Sequence, residues 1–287
     1  MGIAVMDIGS NSVRLLLWTE EGQTQRLNTT RLGEGAAKGF LTESSMARTV
    51  EAIAEFAREA KELGLPTYAF ATSAVRDAQN ASALLDGIRR SCGLEVDVLS
   101  GADEALCAYL GALYGKDGAV IDIGGNSTEL ALGAGGRLQR SVSMQVGAVR
   151  LQTLFADDRE KATAYIRECL AGSGFGGMRL DGLAGIGGTI TSLAACKLGL
   201  DRFDADLVDG CPLELPFMRE TVDRLWRLDV EGRAALPGIS QTRAQIIHQG
   251  ALVLLETMEA LGCERVYASV HDNLEGYVFL RGLEVPA

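Results

Sequence analysis

The chain has 287 residues, 47% apolar and 23% charged, with a net charge of −11 and a pI near 4.8. These proportions are those of a globular protein long enough for two domains. The acidity argues against non-specific binding of nucleic acid and against an anionic membrane surface, and a polyanion would need a local cationic groove.

Residues 3–7 and 12–18 read as a first hairpin, and 25–32 as a third strand. Thr42 is placed to cap a helix over 43–63, with Met46, Val50, Ile53, Phe56 and Ala60 at helical spacing, stopped by Gly64 and Pro66. A buried strand at 68–71 runs into 72–80 and a helix to about Cys92; a strand at 95–99 and a helix at 102–114 follow. Gly115 to Gly118 is the expected boundary between a domain of residues 1–117 and one of residues 118–287. The second half reads as a hairpin around 118–132, a strand at 137–144, helices at 147–155 and 158–171, and a strand at 183–186. A helix then starts at Gly187-Gly188-Thr189 and ends near 198; residues 198–212 read as irregular. Helices at 214–227, 241–261 and 273–282 close the chain, with a strand at 264–268. Strands alternating with helices predict an α/β fold.

The two halves share a loop. Asp122-Ile123-Gly124-Gly125-Asn126-Ser127-Thr128-Glu129-Leu130 repeats Asp7-Ile8-Gly9-Ser10-Asn11-Ser12-Val13-Arg14-Leu15 at the Asp, Ile, Gly, Asn, Ser and Leu positions, each between apolar runs. The plain alternative is two ordinary hairpins, because Asn and Gly are common turn residues. A repeated special loop instead predicts two related domains facing one cleft. Glycines at a strand-to-strand tip leave N–H groups free and admit an anion without a Cβ in the way. Flanking carboxylates complete what Mg²⁺-assisted phosphoryl transfer needs: Asp7, Asp122 and Glu129 as direct or water-bridged metal ligands, and Ser10, Asn11, Ser12, Gly124, Gly125, Asn126 and Ser127 toward phosphate oxygens.

Three further clusters interrupt apolar packing. Ser73, Arg76 and Asn80 follow a strand, and Arg76 suits bidentate phosphate binding or a surface salt bridge to Asp77. Glu104 lies in the first turn of a helix, where a carboxylate either caps or, at a strand end, acts as a general base on water. Gly187, Gly188 and Thr189 form a strand-to-helix turn whose N–H groups can hold an anion. Gly147 to Arg150 is a softer candidate of the same kind, and Arg14 points either at substrate or along its strand. No P-loop, GxGxxG or Gly-x-Ser-x-Gly element occurs. The only histidines are His248 and His271, which does not encourage a His-dependent mechanism. The cysteines are scattered without a CxxC, as expected for buried thiols in a reducing cytoplasm. No run reaches the ~18 apolar residues of a membrane helix, and the chain enters its first strand without a signal core, so a cytoplasmic protein is expected.

The segments DIGSNSVR (7–14), RLGEG (31–35), ATSAVRDAQN (71–80), LSGADEA (99–105), DIGGNSTEL (122–130), VGAVRL (146–151) and GIGGT (185–189) together resemble the exopolyphosphatase and guanosine pentaphosphate phosphohydrolase family. That family lies within the superfamily of actin, sugar kinases and heat-shock chaperone ATPases. The resemblance covers most of the chain and matches the short, two-domain members. It implies two ribonuclease-H-like domains around a cleft, a homodimer, and Mg²⁺-dependent removal of terminal phosphate from polyphosphate or from pppGpp. It implies Glu104 as base, Asp7, Asp122 and Glu129 as metal- and water-organising groups, and Arg76 as a phosphate ligand. Departures are Asn126 for a glycine, Gln245 for the Asp of an R-A-D motif at 243–245, and Leu274 for the Arg of an L-R-E-G motif at 273–276. A low-turnover polyphosphate or alarmone sensor is the alternative that the last departure raises.

Overall fold

The computed structural model describes residues 2–286, except the side chain of Ala37. Its first half supplies β1 (Ile3–Ile8), β2 (Val13–Thr19), β3 (Gly22–Asn28), α1 (Glu43–Glu62), β4 (Thr67–Ala71), α2 (Ser73–Arg76), α3 (Ala81–Cys92), β5 (Val96–Val98) and α4 (Gly101–Leu113). The second half supplies β6 (Gly118–Ile123), β7 (Thr128–Ala134), β8 (Arg137–Met144), α5 (Ala148–Phe155), α6 (Arg159–Gly172), β9 (Leu183–Ile186) and α7 (Gly188–Leu198). It continues with α8 (Ala205–Val208), β10 (Pro212–Glu214), α9 (Leu215–Arg227), α10 (Val230–Ala234), α11 (Ile247–Ala260), β11 (Arg265–Ala268) and α12 (Asn273–Arg281).

The first sheet has the order β3-β2-β1-β4-β5 and the second β10-β11-β9-β6-β7-β8. Each opens with an antiparallel meander and continues with parallel strands. Without the edge strand β10 the two orders are the same, as the twin loops predict for two related domains, and the duplicated topology is the ribonuclease-H-like one that the family resemblance implies. Parallel neighbours put helices on both faces, so β1 and β6 are apolar along almost their whole length. In β1, Ala4, Met6 and Ile8 face a core with α1 and α3, while Ile3 and Val5 face Leu274, Tyr277 and Val278 of α12. In β6, Val120 faces Ala105, Ala108 and Tyr109 of α4, and Ala119, Ile121 and Ile123 face the large core around α11.

α4 and α12 therefore fill the space between the sheets. They cross at glycines: a Cβ on Gly111 would overlap the Asp272 carbonyl oxygen, and one on Gly276 would overlap that of Cys107. Phe70 and Tyr277 stack at 4.6 Å between ring centroids. This crossing carries the last helix of the chain back onto the first strand, directly under the cleft.

Several elements differ from the sequence reading. β3 runs over Gly22–Asn28, because the tight Thr19–Gly22 turn sets its register with β2; residues 31–34 instead form a 3₁₀ turn entered by Arg31 at φ 52°. The final long helix starts at Ile247, after a separate 3₁₀ turn at Arg243–Gln245. The region 198–212 is not wholly irregular: α8 and the start of β10 lie within it. Among the described residues no helix is long and apolar enough to cross a membrane.

Candidate active site

The twin loops close in the same way, with Gly9 N–H donating to Ser12 O at 3.1 Å and Gly124 N–H to Ser127 O at 3.0 Å. They meet face to face: a Cβ on Gly125 would lie 2.6 Å from Ser10 Cβ. Loop glycines 9, 124 and 125 all have φ below zero, so handedness does not require them, and close approach does so at Gly125. Asn126 also has no positive φ and carries no backbone strain in place of a glycine. Its amide is fully buried beside Ser10 and Gly33 at the junction of the loops, and it does not line the cleft.

Between the lobes lies a cavity of about 800 Å³. Asp7, Ser10, Asn11, Ser12, Arg14, Ser73 and Glu104 line it from the first half of the chain, and Asp122, Gly124, Gly125, Ser127, Gly187 and Gly188 from the second. The strand ends deliver these groups, as expected for an α/β cleft.

Glu104 is 4% exposed. It is not the cap of α4: Ser100 Oγ accepts from Asp103 N–H at 3.1 Å and does that work. Its Oε2 is paired with Arg76 Nη1 at 2.7 Å, and the same nitrogen donates to Leu99 O at 3.1 Å. Burial pushes the Glu104 carboxyl up to about 7; Arg76 opposes that rise, and Asp122 and Asp7 add to it. Arg76 also lies 3.4 Å from Asp77 and does not line the cleft, so its place is behind the carboxylate and not on a phosphate.

Asp7 Oδ2 accepts from Arg14 Nη2 at 2.5 Å and Nε at 3.1 Å, while its buried Oδ1 has no hydrogen-bond partner among the described residues. Asp122 Oδ2 accepts from Asn273 Nδ2 at 2.6 Å. Burial raises both carboxyls, that of Asp122 to about 6. Glu129 is buried one layer deeper, off the cleft wall, with Oε1 accepting from Ser143 Oγ at 2.6 Å; burial, then Glu104 and Asp122, push it well up. Crowded buried carboxylates of this kind favour a bound cation. Among the described residues no three acid, His or Cys side chains form a cage for a metal ion. Mg²⁺ needs none, since it keeps its waters and takes one or two carboxylates plus substrate phosphates. The unpartnered Oδ1 of Asp7 and the neighbouring Asp122 fit such an ion.

The anion-binding features are uneven. Gly187 has φ 89°, and a Cβ there would lie 2.8 Å from Asp122 Oδ1, so only glycine fits. The N-terminus of α7 that it opens has no side-chain cap. Thr189 offers its backbone alone, because its side chain is buried against Gly250. Gly147 is a correction to the sequence reading. The first N–H groups of α5 already donate to loop carbonyls, Ala148 to Gly124 at 3.1 Å and Val149 to Gly125 at 2.7 Å, so no anion site remains there. Asn80 is another: both its amide atoms bond the Leu41 backbone at 2.9 Å, outside the cleft. Leu274, which stands where the resembling family carries an arginine, is fully buried in the apolar layer under β1.

Arg243 opens the R-A-Q segment at 243–245 but is not among the site residues that the sequence predicts. Its guanidinium lies against the Gly188 backbone at the mouth of α7, where a Cβ would overlap it. It has no ion-pair or side-chain hydrogen-bond partner among the described residues. Desolvation, with Arg14 nearby, lowers it to about 10. Two guanidinium groups and an open helix N-terminus thus share one cleft with a base of near-neutral pKa, an arrangement able to hold a phosphoryl group and deprotonate a water beside it.

A sequence model of the Ppx/GppA phosphatase family matches residues 20–279. Exopolyphosphatase 1 of Mycobacterium tuberculosis is 30% identical over 313 aligned positions, covering 100% of this chain and 90% of that protein. A bifunctional 3-dehydroquinate synthase/phosphatase of Fusobacterium nucleatum is 25% identical over 98% of this chain, which spans 46% of that longer protein. The crystal structure of an exopolyphosphatase from Cytophaga hutchinsonii superposes with a TM-score of 0.88 at 25% identity, covering both chains in full. With the cleft geometry, these matches place the chain in the Ppx/GppA phosphatase family, as an enzyme of the phosphoanhydride-hydrolase class.

Proposed function

We propose that this protein releases terminal orthophosphate from inorganic polyphosphate by Mg²⁺-assisted attack of water. The observation that carries the reading is Glu104: a buried carboxylate raised to about 7, held by Arg76 and facing both signature loops. Asp7 and Asp122 hold the cation, with Glu129 behind them; when bound, it neutralises charge on the phosphoryl oxygens. Loop N–H groups, Ser10, Asn11, Ser12 and Ser127, the α7 N-terminus and Arg243 grip the terminal phosphoryl group. Glu104 takes a proton from water, the water oxygen bonds to phosphorus, and the bridging P–O bond breaks, leaving the shortened chain with the electron pair. Glu104→Gln keeps the shape and removes the base, so kcat for phosphate release should fall about 10²- to 10⁴-fold. An unchanged kcat would remove Glu104 from this role.

A second reading is 5′-phosphohydrolysis of pppGpp. It is favoured by the exposed Phe203 and Leu27 on the outer cleft wall, apolar groups suited to an organic moiety and of no use to a bare phosphate chain.

A further inference from the structure

The N-terminus of α12 serves the cleft in two places. Asp272 caps the helix: Oδ1 accepts from Leu274 N–H at 3.0 Å, and Glu275 returns a bond to Asp272 N–H at 3.1 Å, closing a capping box. The other oxygen, Oδ2, is ion-paired with Arg14 Nη1. The next residue, Asn273, holds Asp122 Oδ2. One helical turn thus grips both signature loops.

The Arg14 pairing has a consequence for ligands. Asp7 occupies Nε and Nη2 of Arg14, and Asp272 occupies Nη1. Of the other arginines lining the cleft, Arg26 is paired with Glu59 at 3.3 Å and Arg243 has no counter-charge among the described residues. Of these three guanidiniums, only that of Arg243 meets an incoming anion uncommitted.

We propose that Asp272 is a specificity-determining residue: its carboxylate is a resident counter-anion on Arg14 that a ligand with several phosphoryl groups must displace. It thereby limits how much negative charge the cleft accepts. A single phosphoryl group is held by Arg243, the α7 N-terminus and the loops without disturbing this pair. A ligand with several charges gains less here than at an uncommitted Arg14. The inference rests on the phosphohydrolase reading, since it concerns the same cleft.

Asp272→Asn tests it without losing the cap, because Asn also caps helices. With the amide oxygen on Leu274 N–H, the amide nitrogen faces Arg14, donor against donor, and Nη1 is released. Calorimetric titration of the full chain with tripolyphosphate and with inorganic phosphate, without divalent cation, reads the effect. The variant should bind tripolyphosphate about tenfold more tightly, the worth of one charge-assisted hydrogen bond, with a smaller gain for inorganic phosphate. KM for tripolyphosphate should fall in parallel. Asp272→Ala should show the same gain together with a lowered Tm from the lost cap. Equal affinity in wild type and both variants would overturn the proposal, because a residue that only caps a helix predicts that result. Phosphate release by the wild type, measured on the same preparation, reports separately on the phosphohydrolase reading.

Discussion

At the scale of single residues, the chemistry turns on how Glu104 is held. Burial in a field of other carboxylates raises its pKa, and Arg76 restrains the rise. The base must be ionised to accept a proton, so kcat/KM should increase with pH through about 7 and level off above it. Removing Arg76 deletes the group that favours the ionised form. In Arg76→Gln the rising limb should therefore move to higher pH, and a pH–rate profile of the two proteins checks this. A limb that stays in place would mean that a different group titrates. The same logic separates Arg76 from Arg243. Loss of Arg243, which stands free at the α7 N-terminus, should raise KM and leave the position of the limb unchanged.

At the scale of elements, the α4–α12 crossing sets the site. Gly276→Ala inserts a methyl into backbone and should destabilise the protein by about 1–3 kcal/mol, read as a lowered midpoint in urea. Leu274→Arg restores the residue expected from the family resemblance. Its side chain would enter the apolar layer against Ile3, Val5 and Phe70, so we expect a loss on the order of 3 kcal/mol or more and no tighter phosphate binding. Fully retained stability with a lower KM would contradict this placement. Here the limits of the sequence are physical. The twin loops, Glu104 and the Gly187 turn were legible because each is a local pattern at a strand end. The roles of Asp272 and Asn273 were not, because their partners Arg14 and Asp122 lie 258 and 151 residues away and meet them only through the helix crossing. Arg243 stands in a motif segment but at no strand-end glycine turn, and only the fold brings it to Gly188. Gly147 and Asn80 looked like ligands from their motifs, yet the backbone uses their hydrogen-bonding capacity internally.

At the scale of the whole molecule, the cleft stores unfavourable charge between the two sheets. Glu104 and Asp122 are raised above their ordinary values, to about 7 and about 6, mainly by burial. Folding therefore favours their protonated forms. The stability this provides is complete below about pH 4 and is lost as pH rises to about 7. The metal-free protein should be less stable at about pH 8 than at about pH 5.5, by on the order of 2 kcal/mol, in urea titrations at the two pH values. Added Mg²⁺ with phosphate should narrow the gap, because ligands that bind only the folded state stabilise it. Equal stability at the two pH values would mean that these carboxylates are better solvated than their burial indicates.

The most direct measurement is orthophosphate release from long-chain polyphosphate and from pppGpp, in parallel, with Mg²⁺ and then with EDTA, for the wild type and Glu104→Gln. Release from polyphosphate that EDTA abolishes and that Glu104→Gln lowers at least about 10²-fold is the expected result; release undiminished by either, or none from either substrate, would overturn the phosphohydrolase reading.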